Sequence, residues 1–493
     1  MFSILCPELN YMILSFLIDT NNKYVKSSSR TPIYMESEIY FMRLTNKRWK
    51  RALDNYIRCI FTNNDVYFKD GIYSASSNGY TQILDWFKHH DFLPGIHYGN
   101  TRDVVTIAST HGHINVLEWW KNNGVDFNCN SDAVNNASRC GHIDVLEWWK
   151  NSGLEFECHR AAIRWASEEG HINVLEWWKN SGFEINYDSG IINNSSDRGR
   201  VDVLEWWKNS GLEFMYDKNA INWASEEGHV DVLEWWKNSG FQFTYDEYAV
   251  NHASEEGHIN VLEWWNNSGF EFKYDSDAVD SAASEGRIDV LEWWHTSRHR
   301  FIYTNSAVVW ASEENYLNVI EWFMNSIYEF KYDETAVNLA AGEGHIDTLE
   351  WWKNSKYTFK YDENAINYSS KCGHVDVLEW FMINGFEIKY NECAVNWASE
   401  WGHVDVLEWW KNSGLQFKYN EEAILEASGA GHIDVLDWWH NSIYEFKYNE
   451  SDVLSDYHIG HDVLVWFNEK GYKLGTPSEW MEPINTEPDY DSV

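Results

Sequence analysis

Proline is scarce, cysteine is unorganised and positive charge is in short supply. The 493 residues hold 6 Pro, none of them between 95 and 476. The seven cysteines (Cys6, Cys59, Cys129, Cys140, Cys158, Cys372 and Cys393) are an odd, scattered set with no C-x-x-C pair. That excludes a disulfide framework or a zinc site and points to free thiols in a reducing, intracellular compartment. The cytoplasm is the expected location, with the nucleus left open. Lys and Arg number 38 against 77 Asp and Glu, for a net charge of -39. A phosphate backbone is held by clustered Lys and Arg, so no nucleic-acid partner is expected. Nowhere do about 18 apolar residues run together, so no membrane span is expected. Residues 1–19 are apolar but lack a basic n-region and carry Glu8, which does not read as a signal peptide.

Aromatic residues, by contrast, are abundant: 17% of the chain, with 31 Trp. So much Trp with so strong an acidic excess fits neither a disordered acidic tail nor an average globular enzyme. The charge is also unevenly placed. Residues 1–70 are net +3, so the remainder carries -42. The shifts in charge and proline divide the chain into a head (1–60), a uniform body (61–470) and a short acidic tail (471–493) with three prolines, expected to be disordered.

The body is periodic. The leucine of Val-Leu-Glu-Trp-Trp recurs at Leu117, Leu146, Leu175, Leu204, Leu233, Leu262 and Leu291, then as Ile320, then at Leu349, Leu378, Leu407 and Leu436, always 29 residues apart. Degenerate copies at Leu84 and Leu464 bring the total to fourteen. Within one copy, Asp217 stands where a helix cap belongs, and Ala220, Ile221 and Ala224 follow at one-face spacing. Gly228 is placed to end that helix. Val230, Leu233 and Trp236 then mark a second helix, ended by Gly240. Neither helix reaches the ~12–15 residues that are marginal in isolation, so the copies must be held by stacking. Ten cap positions from Asp188 to Asn449 are all Asp, Asn or Thr, and an alternating Phe/Tyr ladder before them predicts a short extended connector.

The segment 220–236, Ala-Ile-Asn-Trp-Ala-Ser-Glu-Glu-Gly-His-Val-Asp-Val-Leu-Glu-Trp-Trp, resembles the ankyrin repeat, and Gly-His recurs in register at nine copies. The resemblance implies an all-α, ankyrin-type helical solenoid of about 14 repeats, preceded by a small helical head. At 29 residues the unit is four shorter than the common ankyrin repeat. The loss falls between Tyr216 and Ala220, implying shortened or absent β-hairpins. Short units of this kind resemble those of large DNA viruses of protists, which would place the chain in a host cytoplasm. In the head, residues 5–17 resemble the opening of an F-box, through Pro7, Glu8, Leu9, Ile13, Leu14, Phe16 and Leu17. Residues 42–49, ending in Trp49, resemble its later helix, with an insertion at 18–37. That resemblance implies docking to a Skp-type adaptor of a cullin–RING ubiquitin ligase. The alternative is that these helices only cap a purely structural or decoy array.

No constellation reads as a catalytic or cofactor site. Stacked helices lie ~8–10 Å apart, too far for successive Gly-His histidines to share a zinc whose ligands sit about 2 Å from the metal. These histidines are expected to bond to neighbouring backbone. The Trp pairs are expected to pack in the core, one ring facing the partner helix and one the next repeat, with partial exposure of the first ring as the alternative. Asn193, Asn222, Asn251, Asn338, Asn367 and Asn396 are expected to bridge adjacent repeats, in a ladder broken at Arg164, Val309 and Leu425. No copy carries a nucleophile elbow or a Gly-rich phosphate loop, so neither catalysis nor a metal or cofactor is expected.

What varies against this frame is the functional signal. One helix position carries Trp165, Trp223, His252, Trp310, Tyr368 and Trp397 in different copies. The pair before the glycine carries Glu168-Glu169, Glu226-Glu227, Glu255-Glu256 and Glu313-Glu314, with Trp401 in a later copy. No single packing environment accepts that set, so these rows are expected to meet solvent or a partner. In ankyrin repeats the pair lines the binding groove. Acids at a helix C-terminus oppose its dipole by ~0.3–1 kcal/mol, a local cost that fits a functional surface or a solubilising one. The expectation is a protein-recognition scaffold for a partner with a basic face.

Overall fold

A computed structural model describes residues 72–89, 101–123, 131–154, 160–455 and 459–472. The F-box-like head, including Trp49, and the tail beyond 472 lie outside the described residues. Contacts group the chain into two compact units. Unit 1 is Met1–Ala224 with Asp231–Thr244; unit 2 is Ser225–Val230 with Tyr245–Val493.

Each unit is a stack of helix pairs, all-helical among the described residues and without a strand. The helices are short, as in Gly190–Asp197 and Val201–Asn209 of unit 1, or Thr335–Gly342 and Ile346–Asn354 of unit 2. First helices pack on first helices of the next copy, second helices on second helices. The result is the repeat solenoid that the period implied, with no β-hairpin between copies of the described residues.

The sequence opens each first helix as expected. Asp217 Oδ1 accepts the backbone N–H of Asn219 at 2.8 Å, and Asp275, Asp333, Asn391 and Asn420 repeat the bond. At Asp362 the acid is itself the residue preceding the helix, whereas Lys218 separates Asp217 from Asn219–Glu226. The helix closes at a glycine such as Gly228, whose φ of +80° only glycine adopts without strain. The second helix differs in one detail from its expected face. Val232, Leu233 and Trp236 are buried while Val230 is half-exposed. At about 100° per residue the core face is i, i+1, i+4, the spacing Ala220, Ile221 and Ala224 use in the first helix.

The connectors are extended but pair with nothing as strands. Their half-buried aromatic rings pack along the core edge instead: Phe214 stacks on Phe241 at 4.3 Å, and Tyr216 lies 4.7 Å from the buried Trp236. In unit 2 Phe417 stacks on Tyr444 at 3.8 Å. Short polar helices can therefore hold together because each copy buries several large rings against its neighbour.

Candidate recognition face

Four ladders of inter-copy hydrogen bonds run along the stack. The second Trp of each pair is fully buried, and its indole N–H donates to a serine hydroxyl of the preceding copy. Trp236 reaches Ser196 at 3.0 Å in unit 1, and Trp265 reaches Ser225 at 3.1 Å in unit 2. The first Trp is half-exposed and donates to the glutamate of the preceding Val-Leu-Glu segment, as Trp235 does to Glu205 at 2.9 Å. The expected core packing holds for the second ring, while the first follows the alternative of partial exposure. Tyrosine hydroxyls form the third ladder: Tyr216 donates to the Gln242 carbonyl at 2.8 Å, and Tyr390 to that of Gln416 at 2.6 Å. In the fourth, Asn338 Nδ2 donates to Asp362 Oδ1 at 2.7 Å while the Asp362 N–H returns to Asn338 Oδ1. Asn193, Asn251, Asn367 and Asn396 do the same with their caps, the bridge expected of them.

Two of the Gly-His histidines bond backbone as expected. His113 and His142 lie 3.0 Å from the carbonyls of Ser77 and Thr110. Where arginine replaces histidine, Arg200 and Arg287 make the equivalent Nε bond to the Glu168 and Glu255 carbonyls. The glycine is needed for space as well as for φ: a Cβ on Gly344 would sit 2.6 Å from His374 Cε1. Among the described residues no three His, Cys, Asp or Glu side chains could hold a metal, and no helix is long and apolar enough to cross a membrane.

The variable rows lie on the first helices and their C-terminal turns. Trp165, Trp223, His252, Tyr368 and Trp397 are half-buried, while Trp310 is 37% and Trp401 52% exposed. Glu169, Glu227, Glu256 and Glu314 are exposed; Glu168, Glu226, Glu255 and Glu313 are half-buried. In unit 1 the acids are already answered by cations. Arg139 lies 3.6 Å from Glu169 and its guanidinium 5.8 Å from the Trp165 ring, while Arg164 and Asn194 hold Glu168.

Unit 2 presents three different stations. His252 lies 2.8 Å from Glu255 beneath the exposed Tyr248, and Arg287 lies 3.9 Å from Glu256. Around Trp310, burial pushes the Glu313 carboxyl above its ordinary value, and the charges of Glu314 and Glu343 add to the effect. Further along, Tyr368 stacks on Trp397 at 6.0 Å, and the Lys371 ammonium lies 5.1 Å from the Trp401 ring. The structure thus stacks Tyr368 on Trp397 with Lys371 near both Trp397 and Trp401, and places the acids Glu313 and Glu314 on the turn after Trp310.

Sequence reasoning missed the serine and glutamate acceptors of the two Trp ladders. The signal was present as paired change. Phe323 and Phe381 replace the buried Trp, and Ala283 and Ala341 stand forty residues before them, where Ser faces Trp elsewhere. It also missed the contacts that the cations Arg139, Arg164 and Lys371 make along the row.

Comparison with known proteins agrees with the fold. Residues 105–148 match the family described as ankyrin repeats (many copies), which supports an ankyrin-type repeat protein. No curated protein matches the chain. Among solved structures, the crystal structure of the pentatricopeptide repeat protein PPR10 from maize is similar over 86% of this chain and 70% of its own, at 12% identity and a TM-score of 0.30. A likeness that loose carries nothing about function.

Proposed function

We propose that the array is a non-enzymatic protein-recognition scaffold whose first-helix rows hold a partner with a basic face. Ankyrin-type repeats generally serve protein–protein contact, and one observation narrows that role. The repeated indole, tyrosine and bridging asparagine groups are committed to the neighbouring copy, while Trp310 and Trp401 are exposed, Tyr368 and Trp397 half-exposed, and the identity of these rows differs from copy to copy. Aromatic rings beside uncompensated carboxylates suit Lys and Arg side chains, which gain cation–π and ionic contact at once. Charge reversal at Glu226, Glu227, Glu255 and Glu256 is the test. A partner captured from host lysate should be lost, and capture by the unmutated chain should weaken with salt as charges are screened beyond about 8 Å. Unchanged, salt-indifferent capture overturns this reading.

The F-box-like head extends the proposal to a substrate receptor of a cullin–RING ligase acting in the host cytoplasm. Its support is the motif through Pro7, Leu9, Ile13, Leu14, Leu17 and Trp49 alone. Recovery of a Skp-type adaptor by the chain, abolished by Leu14→Arg, is the expected result. If no adaptor is recovered, the head is a cap. A structural or decoy array is the second reading, favoured by Arg139, Arg164 and Arg287, which already neutralise part of the acidic row.

A further inference from the structure

Within unit 2, the joint between copies 246–274 and 275–303 is closed by a full set of polar links. Asn251 bridges to Asp275, Trp294 donates to Ser254, Trp293 to Glu263, Tyr274 to the Arg300 carbonyl and Arg287 to the Glu255 carbonyl. The next joint, between 275–303 and 304–332, is built differently. Phe323 and Ala283 replace the indole and the hydroxyl, so that link is gone. The Tyr303 hydroxyl, whose equivalents reach a carbonyl 26 residues ahead, is buried without a hydrogen-bond partner. Tyr316 stands where Arg287 reaches back.

At this joint the bridging Asn is Asp280, the one buried carboxylate among the described residues, 2% exposed. Thr304 donates to it through its N–H at 2.9 Å and its hydroxyl at 2.6 Å. No cation closes on it. Lys331, the nearest favourable charge, places its ammonium on the Tyr303 carbonyl at 2.6 Å, and Asp277 on the same helix is repulsive. Of the regular links, Trp322 to Glu292 and the Thr304 N–H half of the bridge remain, joined by Tyr328 against His295 at 3.2 Å.

Neighbouring joints compensate for their irregularities. Phe381 and Ala341 also lack the indole bond, but Ser369 there donates to the Ala341 carbonyl at 2.9 Å. Asn315, in the left-handed region at φ 59°, accepts from Thr348 at 2.7 Å. Nothing equivalent satisfies Tyr303.

We propose that the joint between copies 275–303 and 304–332 is the internal opening point of unit 2, parting more often than the other joints inside that unit. Opening hydrates both the orphaned Tyr303 hydroxyl and the Asp280 carboxylate, a return no other described joint of unit 2 offers, and it breaks fewer of the regular links than opening the joint before it. The first helix of the loosened copy, Ser306–Glu313, carries Trp310 and Glu313. On the binding role proposed above, and resting on it, this gives the most exposed Trp of that helix row an adjustable mount.

Hydrogen exchange by mass spectrometry on the full chain, without partner, tests the joint separately from any binding role. Amides of Ser306–Glu313 should exchange about tenfold or more faster than those of Thr335–Gly342. Equal or slower exchange overturns the proposal. Ala283→Ser with Phe323→Trp should restore the link and remove the difference. Asp280→Asn with Thr304→Asp, which rebuilds the regular bridge, should do the same if the first pair fails to fold. Folded variants of both kinds that still exchange like the unmutated chain would refute it.

Discussion

The two helices of a copy obey different rules. On the second helix, Val-Leu-Glu-Trp-Trp recurs with little change because each residue answers to the copy before it: a buried indole to a serine, a half-exposed indole to a carboxylate, and Val and Leu to the core. On the first helix, the position of Trp310 or His252 answers to no fixed neighbour, and its identity drifts. Constancy here measures the number of partners inside the stack, and variation marks where those partners are missing. The row at Trp165 qualifies the contrast, since Arg139 and Arg164 supply it with internal partners.

The strongest way to break the comparison is to remove a second-helix ring. Trp236→Ala should cost about 3–5 kcal/mol through the cavity it leaves, read as a lower urea midpoint, while Trp310→Ala should stay within about 0.5–1 kcal/mol. Similar losses would erase the distinction between fixed and free helices. Gly344→Ala should follow at roughly 1–2 kcal/mol from its positive φ, and more where the added methyl meets His374. Hydrogen exchange should place the damage at that turn.

A cycle between Trp236 and Ser196 sharpens the rule further. Ser196→Ala alone strands a buried indole N–H and should cost about 1–3 kcal/mol. Adding Trp236→Phe should cost less than the sum of the two single changes, because it removes the stranded donor, as Phe323 with Ala283 already does. Strict additivity would show that the Trp–Ser bond contributes nothing.

The smallest effect is in pH, and its sign differs between the two helices. On the second helix, the indole of Trp438, then Lys411 and Asn412, hold the Glu408 carboxyl down to about 2, and Trp235 likewise lowers Glu205. A depressed folded value means the contribution is present above the ordinary 4.5 and is lost as pH falls toward about 2. Glu313 on the row is raised by burial and by its acidic neighbours, so its contribution is present below 4.5 and lost as pH rises through the raised value. Carboxyl titration by NMR should show the two moving to opposite sides of 4.5, and a basic partner should pull Glu313 back down.

The periodicity made the stack legible before any coordinates, because a 29-residue step with capping residues and glycines leaves few alternatives to paired helices. The core face of the second helix was partly misread at Val230, since Val230 and Val232 flank one position and only packing separates them. The acceptors of the Trp ladder were not legible from one copy at all. Ser196 and Trp236 are forty residues apart, and nothing local to either announces the other. The row residues were legible as variable, but their grouping into an acidic station at Trp310 and a platform at Trp397 depends on which first helices stack.

The forty-residue reach of the indole bond also bears on how such an array can grow. Forty exceeds the length of one copy, so the donor and its hydroxyl never travel together when a single unit is duplicated or exchanged. A crossover that delivers a Trp copy after an Ala283-like neighbour strands an indole, and one that delivers a Phe copy after a serine wastes a hydroxyl. The heritable module is therefore the boundary between two copies, and inside the array lineages should gain or lose units in blocks that keep Trp behind Ser and Phe behind Ala, a rule that the last copy, with Phe467 behind Ser428, escapes.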